Sequence, residues 1–104
     1  IQIPPKCEAC SGLLRPDVVW FGESLDEKVL HRIYQCLQVV EVMLIVGTSA
    51  IVQPAASFGL VAKKAGAFVA EINRSETPQS SLFDVSIQRK AGELLPELVK
   101  RVDG

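Results

Sequence analysis

The sequence is short of the residues that most often do chemistry. Its 104 residues include one His, one Trp, one Tyr and one Met, and only 6% are aromatic. Histidine is the residue type whose reference pKa lies near neutrality, and His31 is its single instance. It sits among Lys28, Arg32 and Gln35 on what reads as a solvated helix face, which argues against a catalytic role. Cysteine is scarce as well. Cys7, Cys10 and Cys36 are odd in number and uneven in spacing, which argues against a disulfide framework and suits a reducing compartment. Neither sign of charge dominates: 11 Lys and Arg stand against 12 Asp and Glu, a net charge of -1. A nucleic-acid arm or a polybasic membrane anchor needs concentrated positive charge, so neither nucleic acid nor membrane is expected as a partner. Internal repeats, low-complexity tracts and a G-x-G-x-x-G loop are all missing. The opening Ile1-Gln2-Ile3-Pro4-Pro5-Lys6 has no initiating Met, basic region or apolar region, and it reads as the inside of a domain.

Long apolar runs need one check. Val42 to Ala62 carries no charge over 21 residues, a length that could span a bilayer. Gly47, Thr48, Ser49, Gln53 and Pro54 interrupt its middle, so it reads as a strand, a loop and a helix in the core. With 48% apolar and 22% charged residues, the chain has the composition of one globular domain.

The pattern alternates strands and helices. Val18-Val19-Trp20-Phe21, stopped by Gly22, predicts a short strand whose aromatics belong in a core unless their place at the strand end gives them a substrate-lining role. Asp26 predicts an N-cap, followed by an amphipathic helix with Val29, Leu30, Ile33, Tyr34, Leu37 and Val40 on one face. Cys36, on its flank, reads as a small buried apolar group. Val42 to Val46 is continuously apolar, the pattern of a strand covered on both faces. Pro54 suits the first turn of a helix ending at Gly66, with its positive dipole end near Gly47-Thr48-Ser49. Ala67 to Ile72 predicts a strand, Phe83 to Ile87 a weaker one, and Gly92 to Val102 a final helix with Pro96 in its first turn. The order β-α-β-α-β-loop-β-α predicts a parallel sheet with right-handed crossovers.

In such sheets ligands bind beyond the carboxyl ends of the strands. Gly47-Thr48-Ser49, Asn73-Arg74-Ser75 and the segment from Gln88 to Gly92 fall there. Gly allows close backbone approach, and Thr and Ser offer hydroxyls to ribose or phosphate. The same Gly-Thr-Ser would equally serve to turn a strand into a helix. Cys7-x-x-Cys10 has the spacing of half a zinc ribbon, with a redox pair as the alternative. Glu23 and Glu71 lie near strand ends, but they form no close carboxylate pair of the kind acid–base chemistry uses.

Taken together, Cys7-x-x-Cys10, the run Gly12-Leu13-Leu14-Arg15-Pro16-Asp17-Val18-Val19-Trp20-Phe21-Gly22-Glu23, Gly47-Thr48-Ser49 with Pro54-Ala55-Ala56, Asn73, and Gly92-x-x-Leu95-Pro96 resemble the C-terminal half of sirtuins. The Val-Val-Trp-Phe-Gly-Glu variant is most similar to class III members, which include enzymes removing acidic acyl groups. The resemblance implies an α/β fold: a Rossmann-like parallel sheet flanked by helices over 17–104, preceded by half of a zinc ribbon with its connector over 1–16. It implies NAD-dependent removal of an acyl group from a protein lysine, whether acetyl, succinyl or malonyl, with transfer to ADP-ribose and release of nicotinamide. It gives NAD contacts to Gly47, Thr48, Ser49, Asn73, Arg74, Ser75 and Ala91. Cys7 and Cys10 would be ligands of Zn2+. Val19, Trp20, Phe21, Gly22 and Glu23 would pair with the acyl-lysine peptide by strand addition, and Trp20 and Phe21 would wall the acyl-lysine tunnel.

The departures carry equal weight. The family's Gly-rich loop, its catalytic His, its first Cys pair and the Tyr and Arg that select acidic acyl groups belong upstream and are not in these 104 residues. Gln53 stands where many relatives have Tyr. The resemblance thus predicts no catalytic residue here, dependence on the upstream half of the same polypeptide, and inactivity of these residues alone. The near-neutral charge suits the bacterial cytoplasm and the mitochondrion equally. The alternative is a non-catalytic nucleotide- or zinc-binding module.

Overall fold

A computed structural model describes residues 3–104; Ile1 and Gln2, the first residues of the expected ribbon segment, lie outside the described residues. The body begins at Asp26, whose carboxylate accepts from the Lys28 N–H at 2.8 Å and the Val29 N–H at 3.4 Å. That cap opens helix α1 (Glu27–Leu37), as the sequence predicts. The chain then alternates through strand β1 (Val42–Val46), a 3-10 turn (Ala55–Ser57), helix α2 (Phe58–Lys64), strand β2 (Phe68–Asn73), a second 3-10 turn (Ser80–Leu82), strand β3 (Val85–Gln88) and helix α3 (Ala91–Asp103).

The three strands form one parallel sheet in the order β1-β2-β3. Val46 lies opposite Ile72, which lies opposite Ile87, and Asn73 lies opposite Gln88. β2 is the central strand, and Val69, Ala70, Glu71 and Ile72 are all buried. The core sits on the side of α1 and α2, where Leu37, Ala62, Ala67, Val69 and Phe83 pack together with Ile33, Met43 and Ile45 at the margin. Tyr34 and Phe58 meet edge to face at 5.7 Å and join α1 to α2.

Four expectations need correction. Val18 to Phe21 forms no strand: no neighbouring backbone runs beside it to complete a ladder, and its one turn is closed locally by the Glu23 N–H on the Trp20 carbonyl, 3.0 Å. Trp20 and Phe21 are accordingly exposed, 56% and 92%, and are not core. Cys36 is exposed as well, because α1 turns it away from the contact with α2. β1 is covered on one face only: Met43 and Ile45 are half-buried while Val42, Leu44 and Val46 are exposed. Beside Leu44 an apolar groove of ≈ 390 Å³ remains, bounded by Leu95, Leu98, Val99 and Val102 of α3. Smaller differences follow from hydrogen bonding at element ends. Pro54 precedes a 3-10 turn without a side-chain cap, and the α-helix starts only at Phe58. α2 is therefore too short to direct a substantial dipole at the loop after β1. No helix of the described residues is long and apolar enough to cross a membrane.

The radius of gyration is 18.0 Å, well above the roughly 13 Å of a compact chain of about 100 residues. Residues 3–25 contain neither helix nor strand, and their one β-pairing is an isolated antiparallel bridge, Lys6 with Leu13.

Candidate functional site

The residues expected to hold a nucleotide lie along one edge of the sheet. Gly47 follows the last residue of β1, Asn73 ends β2, and Lys90 and Ala91 follow β3 into α3. The register makes these ends neighbours, and the Gly47 N–H bonds the Ile72 carbonyl at 3.0 Å. Gly47 has φ +64°, a left-handed turn that glycine adopts without strain. Nothing lies within 4 Å of where its Cβ would be, so the backbone is open to an incoming group. Thr48 and Ser49 are exposed beside it. The Asn73 side-chain amide donates to the Ser75 carbonyl at 2.9 Å and shapes the turn that carries exposed Arg74 and Ser75. This edge fits a nucleotide, since it offers open backbone, hydroxyls and a side-chain amide where parallel sheets bind ligands.

The loop after β1 is under tension. Ala50 has φ +55°, a conformation that costs a non-glycine residue about 1–2 kcal/mol and persists only where the surroundings impose it. Thr48 Oγ1 accepts from its N–H at 3.2 Å, and the Gln79 side-chain amide donates to its carbonyl at 3.1 Å. The same amide nitrogen donates to the Ala56 carbonyl at 2.9 Å, whereas the Gln79 carbonyl oxygen is buried without a partner. Sequence reasoning missed Gln79, because a lone Gln in a polar loop carries no pattern.

Beyond Ala50 the same loop forms one wall of a cleft of ≈ 550 Å³. Val52, Gln53, Pro54 and Ala55 face Val19, Trp20, Phe21, Gly22 and Glu23 across it, with Glu27 and Leu30 of α1 at the base. The five residues expected to meet a peptide are therefore together on one wall. Their shape is set by Arg15, whose guanidinium forms a two-point pair with Glu23, 2.8 and 3.2 Å, and donates to the Val18 carbonyl at 2.8 Å. It also lies 5.2 Å from the centroid of the Trp20 ring. Glu23 accepts from the Trp20 N–H at 3.2 Å as well, and Gly22, at φ +87°, completes the turn. The Arg15 bonds, and then the Trp20 N–H, hold the Glu23 carboxyl below the usual carboxylate range. The carboxylate of Glu23 is thus engaged within the loop, and what Val19 to Glu23 present to the cleft is backbone and aromatic surface.

Cys7 and Cys10 close a tight turn. The Ser11 N–H bonds the Cys7 carbonyl, and the Cys7 N–H bonds the Gly12 carbonyl, both at 2.8 Å. The backbone N–H groups of Cys10 and Ala9, and then the Cys10 side chain, lower the pKa of the Cys7 thiol. The two thiols, three residues apart in one turn, have the donor type and spacing for two positions of a tetrahedral ion. Among the described residues no third Cys, His, Asp or Glu joins them. His31 is exposed on α1 and does not line the cleft.

A parallel α/β sheet flanked by helices, with an open Gly-Thr-Ser turn at its carboxyl edge beside an aromatic-walled cleft, defines a partial Rossmann-like domain. The sequence model of the Sir2 family matches residues 1–54. NAD-dependent protein deacylase 1 of Archaeoglobus fulgidus is 49% identical over 103 residues, covering 97% of this chain and 42% of its own length. NAD-dependent protein deacylase 2 of Pyrobaculum aerophilum is 48% identical over 101 residues, 97% of this chain and 41% of its own. The crystal structure of a Sir2 homologue–NAD complex superposes with a TM-score of 0.89 at 48% identity, over 99% of this chain and 41% of that one. A Sir2–p53 peptide–NAD+ complex does so at 0.85 and 25% identity, over 98% of this chain and 42% of that one. The chain belongs to the Sir2 family, and it spans about two fifths of the length of the relatives it matches.

Proposed function

We propose that this chain supplies the cofactor edge and the peptide cleft of an NAD-dependent protein-lysine deacylase, a deacetylase or a desuccinylase/demalonylase. The observation that carries the reading is that one loop, from Gly47 to Ala55, runs from the open nucleotide edge into the wall of the cleft, so that two ligands would meet along it. Gly47, Thr48 and Ser49 contact the nucleotide, Asn73, Arg74 and Ser75 its adenosine end, and Ala91 its last contact. NAD, when bound, supplies the ribose carbon that receives the acyl group as nicotinamide leaves. Val19 to Glu23 hold the acyl-lysine peptide through main-chain bonds, a mode tolerant of sequence. Trp20 and Phe21 wall the acyl chain and exclude water from it. Cys7 and Cys10 hold two of the four positions of a structural zinc ion. No His lines the cleft, so the base acting on the ribose hydroxyls comes from the upstream half of the same polypeptide, and these 104 residues alone are inactive.

The test is nicotinamide release from NAD with an acyl-lysine peptide, using these 104 residues and the natural full-length polypeptide. Release by the longer form only, and only with peptide, is the expected result. Release by the 104 residues alone would overturn the assignment of the base. Silence from both with NAD still bound would favour a binding module. Succinyl-, malonyl- and acetyl-lysine peptides compared in the same assay assign the acyl class.

A further inference from the structure

Glu71 is the one charged residue buried completely among the described residues, and nothing in the proposed chemistry uses it. Its surroundings are three hydroxyls. Thr77 Oγ1 donates to Oε2 at 2.6 Å, Ser86 Oγ donates to Oε1 at 2.8 Å, and Ser80 Oγ donates to Oε1 as well. The partners come from two parts of the sheet edge. Ser86 is on β3, and Thr77 and Ser80 are in the loop after β2.

A hydroxyl has a single proton, so giving it to the carboxylate leaves only the oxygen lone pairs for other partners. Those lone pairs are used. The Thr77 N–H donates to Ser80 Oγ at 2.8 Å, and the Gln79 N–H donates to Thr77 Oγ1 at 3.4 Å. The loop is thereby held in the shape that extends the Gln79 side chain to the carbonyls of Ala50, the left-handed residue of the loop after β1, and of Ala56. One buried carboxylate therefore gathers the loop after β2, strand β3 and, through Gln79, the loop after β1. Burial pushes the Glu71 carboxyl up, but the three hydroxyl bonds outweigh it, and the group stays below its ordinary range.

We propose that Glu71 is the positioning residue of the cofactor edge, a strut that sets the spacing between the Gly47–Ala50 and Asn73–Ser80 segments before nucleotide arrives. The proposal rests on the NAD reading above. Glutamine cannot replace the carboxylate, because its amide group would have to donate toward a hydroxyl and would reverse the direction of at least one bond.

The experiment uses the natural full-length polypeptide and its Glu71→Gln and Gln79→Leu variants. ADP-ribose affinity, the KM values for NAD and for peptide, and backbone amide exchange are read at a temperature where all forms are folded. Glu71→Gln is expected to weaken ADP-ribose binding and raise the KM for NAD by roughly ten- to thirtyfold. The KM for peptide should stay within about twofold, since a loosened loop reaches the cleft only through its far wall. Exchange at Thr77 and Gln79 should accelerate while β1 to β3 stay protected. Gln79→Leu should weaken nucleotide binding in the same direction, and the double variant should cost less than the two singles combined, because both act through one loop. A structural role alone would lower the melting point while leaving the ratio of the two KM values unchanged. That outcome, or ADP-ribose bound equally well by wild type and Glu71→Gln, overturns the strut. Failure of the wild type to bind ADP-ribose overturns the NAD reading and takes the strut's purpose with it, a result distinct from equal binding by both.

Discussion

Residues 3–25 and residues 26–104 reach their shapes by different means. In the body, apolar side chains from two helices and a strand close over Val69 and Ala62, and parallel ladders satisfy the backbone. The arm has no buried apolar residue. Local polar bonds shape it instead, with the Cys7–Gly12 turn at one end and the Arg15 clamp at the other. The difference teaches that the cleft is a joint between a wall anchored in the packed body through buried Ala50 and Ala56 and a wall kept in shape by a handful of exposed hydrogen bonds. The first wall should fail by cooperative unfolding and the second by local opening.

The largest test of that contrast is Phe83→Ala. Phe83 is 8% exposed and packs against the α1–α2 core, so truncation leaves a cavity and should cost the body about 3 kcal/mol or more. Chemical denaturation followed by far-UV circular dichroism reads it. A loss under about 1 kcal/mol would mean that the core collapses around the gap and that the body is less tightly packed than its burial indicates.

A smaller, pH-dependent effect centres on Asp84. Its carboxylate accepts from the Val69 N–H and from Lys63 Nζ, 2.8 and 2.9 Å, and in that order these bonds hold it below its ordinary value. A depressed folded-state pKa contributes stability above the ordinary aspartate range, and that contribution is lost as pH falls through the folded value. The body should therefore weaken on acidification below about pH 4. Asp84→Asn should be less stable at neutrality and should flatten part of the acid slope, the rest belonging to Glu71 and Glu97, which are depressed in the same direction. An unchanged slope in melting curves between pH 3 and 6 would remove Asp84 from the account.

The smallest expected effect on stability is also the sharpest test of the arm's independence. Arg15→Ala removes the clamp and the cation beside Trp20, the sole tryptophan. Trp20 emission should shift and its anisotropy fall, while the melting point of the body stays unchanged. Acidification through the depressed pKa of Glu23 should reproduce the emission change in the wild type. If the melting point fell together with the emission change, arm and body would be one cooperative unit.

The body was largely legible in the sequence because its signals are periodic. The Asp26 cap, the spacing from Val29 to Leu37 and the apolar run ended by Gly47 all describe elements that local rules specify. What the sequence concealed was partnership. Val18 to Phe21 has strand composition, yet a strand needs a neighbour, and composition does not report one. Cys36 and the outer face of β1 read as buried yet are exposed for the same reason: apolar character marks a surface suited to cover without showing what covers it. The edge residues Gly47, Asn73 and Ala91 could be placed together because parallel topology brings strand ends together. The Gln79 bridge and the Arg15 clamp span separations with no repeating pattern.

Among the described residues β1 is an edge strand, with β2 along one side and no strand paired along the other. A further strand laid parallel along that free side would finish beside Gly47, where the open turn begins. For a strand added in that way, completing the sheet and bounding the proposed nucleotide edge would be a single event. Filling that edge and adding the strand would then be linked, each raising the effective affinity of the other.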